Sequence, residues 1–258
     1  EMYNVLLAGP PGTGKTMFAK GIAKRMSENI SNVELFFTSG SRFAQMEVAR
    51  AVEEFHKLID YVRRRAEKGM KVIVFVDEAE RMFAARYGRF ATRLTRALTE
   101  AFLASVPAPS NDGYMFIMAT NHQEQLDSAI FDRTSGHQFF VQLPAATERD
   151  QLLENYMKRF AQESGVKVDY DFELPEKRQK LVSMMEGFSA RGIEEIARNF
   201  AREGMRDKEF TIKYDTALDV VKHQAEALKR QKDLVEMRKA EDNKAYRMAA
   251  PGAATIVA

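Results

Sequence analysis

A short apolar run, Val5 to Ala8, ends in Gly9-Pro10-Pro11-Gly12-Thr13-Gly14-Lys15-Thr16, and this stretch leaves the chain few ways to fold. Glycines and prolines at this density cannot continue a strand or sit inside a helix. Helical spacing resumes directly after Lys15-Thr16. The spacing satisfies G-x-x-x-x-G-K-[ST] in full, with Gly9, Gly14, Lys15 and Thr16. A backbone turning on those glycines points successive N–H groups inward as an anion nest, and the following helix adds the positive end of its dipole. Lys15 is then placed to reach the β- and γ-phosphates of a nucleotide, and the Thr16 hydroxyl to take a position on Mg²⁺. The candidate nucleotide contacts are Pro11, Gly12, Thr13, Gly14, Lys15, Thr16 and Met17. An ordinary Gly/Pro turn explains the glycines, but not a Lys-Thr pair between a strand and a helix.

A second apolar strand pattern, KVIVFVDEAE, ends in Asp77 and Glu78. In a parallel sheet, strand ends open on the same edge as the loop after the first strand. Asp77 is expected beside Thr16, holding Mg²⁺ through water. Glu78 is expected to orient and deprotonate an attacking water, which makes the site hydrolytic. A third buried-strand pattern, YMFIMATN, ends in Asn121, whose amide can position that water or touch the γ-phosphate.

Up to Pro144 the chain alternates short buried-strand patterns (NVLLAG, VELFFT, KVIVFVD, YMFIMAT and HQFFVQL) with helical ones. Val48, Val52, Phe55, Ile59 and Val62 recur at helical spacing, as do Leu94, Leu98, Ala101 and Phe102. Alternation of this kind predicts α/β architecture: a mostly parallel sheet with helices on both faces, over residues 1–145. From 146 to 258 the pattern is helical. One helix is expected to start at Thr147 and Asp150, bury Leu152, Tyr156 and Phe160, and stop at Gly165. A second carries Ile193, Ile196, Ala197 and Phe200, and a long charged one runs from Thr216 towards Met248.

Composition sets the outer bounds. The chain has 258 residues, 45% hydrophobic and 29% charged, an ordinary globular mixture. Its net charge of +2 gives no strong nucleic-acid signal. It holds no cysteine, which excludes disulfides and cysteine–zinc sites and permits a reducing compartment. Apolar runs such as Val72 to Val76 are too short to cross a bilayer. The chain opens three residues before its first strand pattern, so it reads as a piece of a longer protein.

The order of motifs, a phosphate loop, an Asp-Glu strand, an Asn-tipped strand, an arginine and a helical lid, resembles the AAA+ ATPases. Within that class GPPGTGKTMFAK, FVDEAE, ATNHQEQLDSAIFDR and EGFSARGIEEIA are similar to the ATPase family AAA domain-containing protein 3 group of the mitochondrial inner membrane. The resemblance implies an α/β nucleotide-binding domain followed by a small helical lid, ATP and Mg²⁺ as ligands, and a mitochondrial setting. It also implies a homo-oligomeric ring, a hexamer, acting on a protein or membrane-associated assembly. Position by position, it makes Lys15 and Thr16 the nucleotide and metal residues, Asp77 and Glu78 the acidic motif, and Asn121 the first sensor. Arg133 falls where an arginine finger reaches a neighbouring subunit's γ-phosphate, and Arg191 where the lid's own sensor arginine sits.

Three weaker features complete the reading. SGSRFAQMEVA does not match the aromatic–hydrophobic–glycine loop of protein-threading relatives, but Phe43 and Met46 could still grip apolar side chains. Arg86, Arg89, Arg93 and Arg96 fall at helical spacing with Tyr87 and Phe90 between them, as either a solvated face or a pore or subunit contact. The four histidines show no ligand spacing, so no zinc site is expected. The expected activity is therefore Mg²⁺-dependent ATP hydrolysis that remodels an assembly. Its alternatives are a nucleotide-gated scaffold with little turnover and, less favoured by the charge, a nucleic-acid motor.

Overall fold

Strand patterning decides the architecture. In the computed structural model, which describes residues 2–86, 90–106 and 113–249, successive residues of each central strand go to opposite faces. Leu6 of β1 (Val5–Ala8), Val72, Val74 and Val76 of β3 (Lys71–Asp77), and Tyr114, Phe116 and Met118 of β4 (Tyr114–Thr120) enter one core. Val5, Leu7, Ile73, Phe75, Met115, Ile117 and Ala119 enter the other. Both faces are apolar, so both need a helical cover. The helix α1 (Lys15–Asn29) covers one face with Ala19 and Ala23. On the other face, α3 (Val48–Glu67) brings Phe55, Ile59 and Val62, and α4 (Arg93–Ser105) brings Leu98 and Phe102.

Among the described residues five strands form one parallel sheet in the order β2-β3-β4-β1-β5, with β2 spanning Val33–Ser39 and β5 spanning Gln138–Phe140. The order places β4 between β1 and β3. At a strand spacing of about 4.8 Å, the ends of β1 and β3 stand roughly 10 Å apart, with the tip of β4 between them.

Several expectations are corrected. HQFFVQL is not a buried strand: β5 lies at the sheet edge, and Phe139 and Phe140 are 49% and 58% exposed. Val48 is exposed, and Ala51 takes its place on the buried face of α3. Phe43, in the short α2 (Gly40–Ala44), is buried in the core beside Met46, so it is not free to grip a substrate. The arginine stripe is not one helix. Arg86 precedes α4, and its backbone N–H and Nε both donate to Asp127, at 3.0 and 2.8 Å. Tyr87, Gly88 and Arg89 lie outside the described residues.

The chain divides into two compact units, Glu1–Leu143 and Pro144–Ala258. In the second, α6 (Ala146–Ser164), α7 (Pro175–Met184), α8 (Ala190–Arg206) and α9 (Tyr214–Ala249) share a core that includes Leu153, Phe160, Leu181, Ile193, Phe200 and Val221. The helix α6 starts earlier than Thr147, because the Glu148 carboxylate accepts from the Ala145 N–H at 2.8 Å and caps the first turn. Asp150 instead accepts from Arg178 Nε. On α6, Leu153 and Met157 are buried, whereas Leu152 and Tyr156 pack at the core's margin. Gly165 ends α6 at φ 69°, a left-handed cap that favours glycine. A two-residue parallel pair, β6 (Lys167–Val168) with β7 (Thr211–Ile212), adds the β structure that the sequence pattern did not signal. Among the described side chains of α9, Leu228 is the last apolar one packed on this core, and Leu234, Val235 and Met237 are exposed.

Phe102 is fully buried against Phe55, Phe83 and Phe116, with ring centroids 4.8 to 6.3 Å apart. Phe102→Ala is expected to destabilise the first unit by about 3–5 kcal/mol, read as a lower urea midpoint at an unchanged slope. A loss under about 1 kcal/mol would show that this aromatic cluster is not the keystone of that face.

Candidate functional site

The loop after β1 is built on backbone that side chains cannot easily follow. Gly9 has φ 148°, and a Cβ there would lie 2.2 Å from the Val141 carbonyl oxygen, so only glycine fits. Gly12 and Gly14 have φ 76° and 97°. Gly14 caps α1 without a side-chain hydrogen bond, leaving the first-turn N–H groups for an anion. A methyl group on Gly14 would meet nothing within 4 Å, so the cradle above it is open. Thr13 donates from Oγ1 to the Pro10 carbonyl at 2.9 Å and braces the loop. Pro11 and Met17 are exposed, and Thr16 is half-buried in the first turn of α1.

Lys15 is buried, and its ammonium donates to the Gly9 carbonyl at 2.7 Å, the Pro10 carbonyl at 2.8 Å and Asn121 Oδ1 at 2.8 Å. The two polar tips that the sequence places 106 residues apart are therefore in direct contact. Asp77 ends β3 and accepts from the Glu78 N–H at 3.0 Å. Glu78 has φ 50°, a left-handed conformation that costs a non-glycine residue on the order of 1 kcal/mol and persists only where neighbours enforce it.

Those neighbours belong to the turn between β2 and α2, which motif reading missed. Ser41 and Ser39 both donate from Oγ to Glu78 Oε2, the latter at 3.2 Å. Gly40 lies so close that a Cβ would stand 2.2 Å from the Glu78 carbonyl oxygen. Arg81 Nε lies 3.7 Å from the other carboxylate oxygen. The Ser41 hydroxyl is the main influence holding the Glu78 carboxyl below the usual carboxylate range; burial opposes it, and Arg81 and Ser39 reinforce it. The available signal was Ser-Gly-Ser at the tip of the strand next to the acidic one, in a stretch read instead for Phe43 and Met46.

Residues 5–143 match the family model described as ATPase family associated with various cellular activities (AAA). The chain belongs to the AAA family. This AAA chain is 33% identical over 202 residues to the ATPase family AAA domain-containing protein 3A homolog of Drosophila melanogaster, covering 76% of its own length and 32% of the relative's. It is 32% identical over 199 residues to ATPase family AAA domain-containing protein 3A of Homo sapiens, covering 75% and 32%. With ATPase family AAA domain-containing protein 3 of Caenorhabditis elegans it shares 35% over 153 residues, covering 59% and 24%. The chain thus spans about a third of the length of the curated relatives it matches over most of its own length. Membership of the AAA family carries nucleotide binding with it.

One of the expected AAA site residues of the first unit is not brought to this edge. Arg133 ends α5 (Ser128–Arg133), and its carbonyl accepts from Asn4 Nδ2 at 3.4 Å. Asn4 precedes β1, so Arg133 stands at the sheet edge opposite the phosphate loop. Its guanidinium donates to the Leu103 carbonyl at 3.0 Å, and its Nε is buried with no hydrogen-bond partner among the described residues. Arg191 is exposed in the first turn of α8, in the second unit, next to the capping Ser189.

Ser41→Ala removes the strongest influence on Glu78. The Glu78 carboxyl carbon is expected to titrate below 4.5 in the wild type and closer to 4.5 in the variant, by ¹³C NMR. Because the folded value is the lower one, this contact stabilises the fold above pH 4.5 and fades as the pH falls through the folded value. Equal midpoints in the two proteins would show that the serine does not hold the carboxylate.

Proposed function

We propose that this AAA module hydrolyses ATP with Mg²⁺ in a homo-oligomeric ring of six, at sites completed by a neighbouring subunit, and uses the turnover to remodel a protein or membrane-associated assembly. The observation that carries the reading is the 2.8 Å contact between Lys15 Nζ and Asn121 Oδ1, at the carboxyl edge of the sheet where β3 also delivers Asp77 and Glu78.

The chemistry follows from what each side chain can do. Lys15 has three N–H donors, and now spends them on two loop carbonyls and one amide oxygen. Phosphate oxygens entering the cradle replace the carbonyls with charged acceptors, roughly twice as strong. Glu78, held ionised beside Ser39 and Ser41, accepts the proton of the attacking water. Asn121, with one amide oxygen and two amide N–H groups, orients that water and reads the γ-phosphate. The Thr16 hydroxyl and the Asp77 carboxylate are the hard oxygen donors Mg²⁺ prefers. Bound there, Mg²⁺ supplies neutralisation of the charge on the β- and γ-phosphates. Arg191 keeps the sensor role that the family resemblance gives it.

Arg133 supports a shared site by its position: a cation at the opposite edge of the sheet from its own phosphate loop serves a neighbour's γ-phosphate rather than its own. The ring, the remodelled assembly and a mitochondrial setting rest on the family resemblance that the sequence motifs carry. Among the described residues no helix is long and apolar enough to cross a membrane.

Glu78→Gln is expected to bind nucleotide as the wild type does and lose phosphate release by about 10²–10⁴-fold. Arg133→Ala is expected to lose about 10³–10⁵-fold. Mixing the two inactive proteins should restore part of the turnover, since an intact Glu78 then meets an intact Arg133 across a subunit boundary. Wild-type protein without measurable turnover would favour the scaffold, and a mixture that stays inactive would remove the shared site.

A further inference from the structure

The acidic motif contains a second glutamate with a different environment. Glu80 lies in the single 3₁₀ turn Ala79–Arg81 after β3, is only 7% exposed, and has no part in the chemistry assigned to Glu78. Its Oε2 accepts from Thr120 Oγ1 at 2.6 Å. Thr120 is buried at the end of β4, directly before Asn121. Its hydroxyl in turn accepts from the backbone N–H of His122 at 2.9 Å, and its carbonyl accepts from the Gly9 N–H at 3.2 Å.

Asn121 is therefore bracketed. The residue before it is tied to Glu80, the residue after it is tied to the same hydroxyl, and its own amide oxygen receives Lys15. A hydroxyl has one proton to give and two lone pairs. When that proton goes to Glu80, the lone pairs are left to face the His122 N–H, so the carboxylate sets the hydroxyl's rotation and the hydroxyl sets the turn. Hydrogen-bond chains of this kind are stiffer than their separate members.

The geometry points to Glu80 as a positioning residue, which acts through the Thr120 hydroxyl to hold Asn121 in register with Lys15 and so joins the acidic turn to the phosphate loop. This rests on the hydrolase reading for its effect on rate, but not for its effect on the turn. Glu80 touches neither nucleotide nor water in this role. What it needs is an acceptor oxygen rather than a negative charge, and a glutamine supplies one.

Two readouts on four variants test it. Glu80→Ala and Thr120→Val, the latter nearly isosteric, are expected to lower kcat by about 10²-fold, the usual cost of misplacing a catalytic group by an ångström. Nucleotide affinity should stay within about threefold, a difference under 1 kcal/mol. Glu80→Gln and Thr120→Ser should keep most of the wild-type rate. Independently of any turnover, the His122 amide should exchange with solvent faster in Glu80→Ala and Thr120→Val and remain protected in Glu80→Gln. Unchanged His122 exchange in both disrupting variants would overturn the proposal even if the enzyme were inactive. Glu80→Gln as inactive as Glu78→Gln would also overturn it, by making Glu80 a catalytic acid or base. If Glu80→Ala fails to fold, Thr120→Val carries the same test. A wild type without turnover, with His122 responding as expected, would instead count against the hydrolase reading alone.

Discussion

A lysine ammonium out of water needs acceptors, and the first unit is organised around supplying them to Lys15. Leaving the charge unpaired in the interior costs several kcal/mol, so its place is tolerated only because three oxygens converge on it. Two come from the loop that glycine lets turn so sharply, and the third comes from a strand more than a hundred residues later. The loop cannot hold this shape without Gly9 against Val141, and Asn121 cannot reach Lys15 unless β4 runs beside β1. The site and the fold therefore share one requirement: the strand bearing the phosphate loop and the strand bearing Asn121 must be neighbours in parallel.

That requirement explains the strand order. With β4 between β1 and β3, the amide stands between the ammonium on one side and the acidic motif on the other. Strand tips about 5 Å apart suit groups that must act on one phosphate and one water. The apolar alternation below them gives the tips a rigid base, because residues of β1, β3 and β4 are committed to two closed cores. The strained Glu78 backbone sits on that base, and Gly40 and the two serines make its conformation the cheapest available.

Much of this was legible in the chain because period-two apolar runs and a glycine-rich loop are local signals. The strands VLLA, KVIVFVD and YMFIMAT, and the helices built on Phe55 and Phe102, announce themselves by spacing. What spacing could not carry was lateral position. HQFFVQL has the composition of a central strand, yet at an edge its two phenylalanines face outward, because burial is set by which strands lie on either side. Phe43 fails for the converse reason: read as a loop residue, it is drawn into the core by the turn that brings Ser39 and Ser41 to Glu78. Ser41, Thr120 and Glu80 carry no motif of their own. Their meaning depends on the register Ser39 to Asp77 and on β4 meeting β3, which are pairings between distant segments.

Two carboxylates two residues apart illustrate how environment divides labour between like groups. Glu78 is half-exposed, is held ionised by hydroxyl donors, and lies at the carboxyl edge of the sheet, where the proposed hydrolysis needs a base. Glu80 is turned inward by the 3₁₀ turn, meets a neutral hydroxyl, and is closed off from solvent. A base must exchange protons with water and so has to be reachable, whereas a bracket must exclude water, which would compete for the Thr120 hydroxyl. One residue cannot satisfy both conditions. Here the left-handed kink at Glu78, followed by one tight turn, sends the first carboxylate outward and the second inward, and the strain at φ 50° is the conformational cost of that separation.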